Sequence, residues 1–149
     1  YGSLDGLLQK VDLDEAWNTG YLPELAYAYR ALGNEDSFQR LLPLMREAID
    51  VDRAAGGDNY FQDSDEALYF ALSGDEEATI AAVETAFDAG FGAATFLDSY
   101  IFEAFHGNAE FEALRKRLAD RVDAERAKLG MPPYRPISSI NEERPVFTH

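Results

Sequence analysis

A chain of 149 residues with 28 acidic against 13 basic side chains carries a formal net charge of -15, a field that repels phosphate backbones and anionic lipid. Nucleic-acid binding and direct membrane contact are therefore not expected, whereas a basic protein or peptide partner would be drawn in. The lack of cysteine removes disulfides, thiolate zinc sites and cysteine nucleophiles together, and no apolar run approaches the roughly 18 residues that cross a bilayer, so a soluble domain of the cytoplasm or the periplasm is expected.

In chain order, Leu4, Leu7, Leu8, Val11 and Leu13 open an apolar pattern with nothing before it to pack against. Together with a first residue, Tyr1, that is not methionine, this reads as a piece of a larger protein. Trp17 is expected to pack a first helix onto Leu22 or Leu25. From Leu22 the residues Leu22, Leu25, Ala26 and Tyr29 recur at three and four, a helical stripe that stops at Leu32-Gly33-Asn34. Phe38, Leu41, Leu42, Met45 and Ile49 form a second stripe, with Glu35 and Asp36 near the positive end of the helix dipole. Pro43 lies inside it, where a kink or a break is expected because proline lacks the N–H of the ladder. The segment 53–59, with Gly56 and Gly57, reads as a loop.

The same unit then returns. Ala67, Phe70, Ala71 and Leu72 lead into Ser73-Gly74-Asp75, followed by Thr79, Val83, Ala86 and Phe87. Gly33 and Gly74 stand 41 residues apart, and the glycine loop supplies the excess over the roughly 34 residues of a tetratricopeptide unit. After Gly90-Phe91-Gly92, the residues Phe96, Leu97, Tyr100, Ile101 and Phe105 lead to Gly107. Phe111, Leu114, Leu118 and Val122 then line one face of a last helix whose other face is charged, as a terminal capping helix requires. Leu129-Gly130 and Pro132-Pro133 end it, and residues 131–149, with four prolines, suit an extended tail.

The stretch from Leu25 to Asn34 and its echo from Ala67 to Asp75 resemble the first helix and turn of tetratricopeptide repeats: Ala26, Tyr29, Gly33 and Asn34 match, as do Ala67, Phe70, Gly74 and Asp75. The second-helix positions fit through Phe38, Leu42 and Met45, then Thr79, Val83 and Ala86. The third unit departs, lacking the small residue, and looks like the closing segment of bacterial tetratricopeptide domains that end larger signalling proteins. The resemblance implies an all-α superhelix of stacked antiparallel pairs, at about 22–55, 63–90 and 93–129 within a repeat domain 1–130, followed by the tail 131–149. It also implies a concave binding face at Tyr27, Arg30, Leu68, Ile101 and Phe105, which would hold an extended peptide or a partner's helix. An ordinary irregular helical bundle would keep the same stripes. The tail, through Tyr134, Ile137 and Phe147, is expected to fill the groove in cis, or in trans between two copies as a homodimer.

Chemistry is not expected. Glu103-Ala-Phe-His106 has the spacing of a di-metal helical motif, but such a site needs that motif twice plus two further glutamates, and the other histidine, His149, ends the tail. A degenerate metal site on Glu103 and His106, or an accessory domain of an enzyme, is the alternative. The clusters Asp63-Ser-Asp-Glu66 and Asp75-Glu-Glu77 fail the calcium-loop order and are expected to cap helix N-termini. No nucleophile elbow, phosphate loop or dinucleotide fingerprint occurs, so no cofactor and no intrinsic catalysis are expected.

Overall fold

The structure, a computed structural model, describes residues 21–56, 60–90 and 96–134. The described residues form helices and no strand: α1 Leu22–Ala31, α2 Glu35–Ala54, α3 Tyr60–Ser73, α4 Glu76–Asp88 and α5 Ala109–Lys128, with 3-10 turns at Phe96–Asp98 and Tyr100–Phe105 before α5. The stripe at Leu4–Leu13, Trp17, and the tail residues Ile137, Phe147 and His149 lie outside the described residues.

Helix α1 starts at a proline-containing first turn and closes on Gly33 at φ +70°. The chain reverses because Asn34 N–H donates to Tyr29 O at 2.9 Å while Gly33 N–H donates to Arg30 O at 3.0 Å, a pairing that requires a left-handed residue in between. The same closure recurs 41 residues on. Asp75 N–H donates to Phe70 O at 3.0 Å across Gly74 at φ +80°. Each turn then caps the next helix, Asn34 Oδ1 accepting from Ser37 N–H and Asp75 Oδ1 from Ala78 N–H. The acidic cluster at 75–77 thus serves as a cap.

Burial follows the same 41-residue register. Ala26 and Ala67 are wholly buried, and Phe38 and Thr79, Leu41 and Ala82, and Met45 and Ala86 are buried as pairs of equivalents. A small residue at the Ala26 and Ala67 position lets neighbouring helices approach within ridge-and-groove distance. Helix α1 packs on α2 and α3, α3 on both α2 and α4, and α4 on α5. This order of packed helix pairs is compatible with a helical repeat.

Three features differ from what the sequence suggests. Helix α2 runs unbroken through Pro43: Pro43 and Gln39 are both exposed, so water reaches the carbonyl that the proline leaves without a donor. The cluster Asp63–Glu66 does not precede a helix but lies within α3. There Glu66 takes Arg46 at 3.1 Å and Arg53 at 2.9 Å, and Asp63 takes Arg53 at 3.6 Å, so the acids fasten α3 to α2. In the third unit the first helix is replaced by 3-10 turns. Ser99 is extended and its hydroxyl accepts from Ile101 N–H, a local bond that competes with helix continuation. The tighter turn puts Phe102 and Phe105 on one side, and both are buried with Ile101 and Leu97.

Beneath them an aromatic run continues from Phe96 through Phe102 to Phe111, with ring centroids 5.0 and 5.7 Å apart. Phe102 and Phe111 are wholly buried, each stabilising the fold by about 1.5–3 kcal/mol. Helix α5 buries Phe111, Leu114 and Leu118 on one side and ends at Gly130, where Met131 N–H donates to Arg126 O at 2.9 Å. After that turn, Tyr134 seats its hydroxyl on Asp98 at 3.1 Å.

A Cβ at Gly33 or Gly74 would meet no atom within 4 Å, so replacing either by alanine tests backbone strain without a clash. Gly33→Ala and Gly74→Ala are each expected to lower stability by about 1–2 kcal/mol, read as an earlier midpoint in urea unfolding at unchanged helicity. Equal losses at the two sites are expected, because the two turns share one hydrogen-bond pattern.

Candidate functional site

Helices α1 and α3 and the second 3-10 turn converge. Helix α1 contacts the second 3-10 turn directly, and α3 contacts both. Between them opens a cleft of about 540 Å³. Its nearest wall is an aromatic pair, Tyr27 of α1 and Tyr100 of the 3-10 turn, with ring centroids 4.4 Å apart. This contact ties the first unit to the third across the second.

The remaining walls come from the ends of elements. Ala71, Leu72 and Gly74 close α3, Glu76 opens α4, and Ile101, Glu103, Ala104 and Phe105 lie on the 3-10 turn. Ile101 and Phe105 are about 5% exposed and belong to the core, giving the cleft an apolar floor, while 47% of Tyr100 is open to solvent. Arg30 is fastened at its back. Its guanidinium donates to Leu72 O at 3.0 Å and lies over the Phe38 ring at 5.6 Å. This charge-assisted bond to a carbonyl joins the end of α3 to α1. Glu76 accepts from Asn108 Nδ2. The Oδ1 of Asn108 meanwhile caps α5 by taking Glu110 and Phe111 N–H at 2.9 and 3.0 Å.

Of the five residues expected on a concave face, Tyr27, Arg30, Ile101 and Phe105 thus surround this one cleft. Leu68 does not. It lies a turn earlier on α3, half-buried against the core, and the cleft meets α3 only at its last turn. Tyr100, Glu76 and Glu103 were not singled out by pattern for this surface, because what brings them there is the contact between separate units.

The Glu103 and His106 pair takes another form. Both are exposed, and the His106 ring lies by Phe111, centroids 6.2 Å apart. Among the described residues no group of three or more histidine, aspartate or glutamate side chains is placed to hold a metal ion. Nor, among them, is any helix long and apolar enough to cross a membrane.

A separate titratable feature lies where α1, α2 and α3 meet. Asp65 sits by Leu22, Met45 and Ile49. Burial, followed by the nearby charges of Asp52 and Glu24, pushes its carboxyl from an ordinary 3.8 up to about 6. The sequence carries no sign of this, since Asp65 stands among other acids that are paired with arginine.

Searches of protein-family models, curated proteins and solved structures found no match to the chain.

The raised carboxyl sets a direction for pH dependence. Between about pH 4 and pH 6 the folded state binds the proton that the unfolded state has lost, so stability falls as pH rises through this window and the cost is complete above it. Asp65→Asn removes that cost. The variant is expected to exceed the parent by about 1 kcal/mol at pH 7.5, the linkage cost being discounted because the carboxyl keeps part of its solvent contact. The difference should vanish by pH 4, as followed by thermal unfolding across that range.

Proposed function

We propose that this chain is a protein-interaction module of the tetratricopeptide kind, a scaffolding or sensory part of a larger bacterial protein. It acts by holding a peptide segment of a partner rather than by chemistry of its own. Two observations support the tetratricopeptide reading. The 41-residue register carries the same turn, cap and buried small residue in both units, and the first helices of successive units pack on each other. Stacked pairs of this kind curve slightly from one to the next and present their first helices on the inner side.

The observation that carries the binding reading is the cleft itself. It lies where α1, α3 and the second 3-10 turn converge, has an apolar floor made of core side chains, and is edged by groups able to form hydrogen bonds, namely Tyr27, Tyr100, Glu76 and Glu103. An apolar base with a few polar groups at the edge is the composition of sites that take side chains of a partner. Side-chain pockets of this sort would anchor an extended strand or one face of a helix.

Site-specific photo-crosslinking tests the reading. With a photoreactive phenylalanine analogue in place of Ala104, at the cleft, covalent adducts with a small number of proteins are expected in cells that make this protein. The same analogue in place of Asp120, on the charged outer side of α5, should give few. Adducts that form equally from both positions, or none from the cleft, would refute a dedicated binding surface there.

A further inference from the structure

We propose that the segment held in the cleft is basic, and that one of its lysine or arginine side chains lies on the exposed part of the Tyr100 ring beside the carboxylates of Glu76 and Glu103. This rests on the reading of the cleft as a peptide site and adds the chemistry of the occupant.

Charge complementarity is the first argument. The cleft lining holds two carboxylates and one guanidinium. The guanidinium is already engaged with the Leu72 carbonyl and the Phe38 ring, so an acidic guest would meet two like charges and a cation turned to other work. A basic guest meets the opposite. Among the described residues Glu103 has no ion-pair partner, and Glu76 is bonded there only to the neutral amide of Asn108. The wider surface points the same way, with a net charge of -15 that raises the local concentration of cationic partners and speeds their arrival.

The aromatic pair is the second argument. Tyr100 is half exposed and its ring packs on Tyr27, centroids 4.4 Å apart at a tilt of 49°, so the ring is fixed in place while part of it stays open. A cation over an aromatic ring is attracted by its quadrupole, more strongly where water is excluded. Burial, then the charge of Glu24 and the neighbouring Tyr27, raises the Tyr100 phenol above its ordinary value. Glu24 therefore adds a third carboxylate whose field reaches this ring.

The floor supplies the third element. Next to the carboxylates the cleft offers the edges of Ile101 and Phe105 with the small side chains of Ala31 and Ala104. These leave room for an apolar residue next to the guest's cation. The fitting partner is a protein segment in which lysine or arginine neighbours an aliphatic or aromatic residue.

The test is selection from a random twelve-residue peptide display library on the full chain, followed by affinity measurement on selected peptides. Three variants are compared after circular dichroism has shown native helicity: Glu76→Gln with Glu103→Gln, Tyr100→Ala, and Ala104→Lys. Glutamine keeps the acceptor for Asn108, and Tyr100, Glu103 and Ala104 are exposed, so if one variant misfolds the others still report. The expected result is enrichment of peptides pairing lysine or arginine with an apolar residue. Their affinity should fall about tenfold in the double glutamine variant and in Ala104→Lys, and should weaken as salt rises. Neutral or acidic peptides that lose binding in Tyr100→Ala would overturn the basic partner and leave the cleft reading intact. Basic peptides that bind all variants equally would mean attraction to the acidic surface at large, and would overturn the proposal. No enrichment at all would overturn both.

Discussion

The structure depends on how closely the first helices approach. Ala26 and Ala67 lose all solvent contact at equivalent places in two units, and a larger side chain at either would hold the neighbouring helices apart. Close approach is what allows Tyr29, Leu41, Met45 and Leu72 to share one core with the third unit's Ile101 and Phe102. It also brings the carbonyl of Leu72, at the end of α3, within reach of Arg30 on α1. Interiors packed at crystal-like density have little slack, so the spacing set at the alanines is passed on to every later contact.

The cleft is closed on one side by the 3-10 turn from Tyr100 to Phe105, which follows an extended Ser99 and sets Tyr100 against Tyr27 of α1. Phe102 and Phe105, buried on Phe111, hold the turn in that position from below.

The charges divide by role. Arginines join elements: Arg46 and Arg53 bind α2 to α3, Arg115 binds α5 to Asp98, Arg117 pairs with Glu84, and Arg121 donates to the Phe87 carbonyl at 2.9 Å while lying over its ring. The exposed pair of Arg117 and Glu84 contributes little, about 0–1 kcal/mol. The arginines' larger effect is on the surface left over. With so many cations committed between helices, the excess acid is what a partner meets, and the field around the cleft takes its sign from that excess.

Periodicity settled the helical class and the turns at Gly33 and Gly74. Residues at three and four apart can only share a face on a helix, and Gly33 and Gly74 stand where only a left-handed residue closes the hydrogen bonds. Capping by Asp75 was legible for the same reason, being decided within one turn of chain. Four of the cleft's residues, Tyr27, Arg30, Ile101 and Phe105, were in reach through their position in the repeat. What only the tertiary structure decided is which separate units touch. Short-range pattern cannot tell that an extended Ser99 would precede a 3-10 turn, that Asp63 and Glu66 would bond arginines of α2 rather than cap α3, or that the Asp65 carboxyl would sit by Leu22, Met45 and Ile49 of two other helices. It also cannot place Glu76, which opens α4, beside Tyr100 and Glu103 of the 3-10 turn around one opening, because their meeting depends on packing distances that no local spacing encodes.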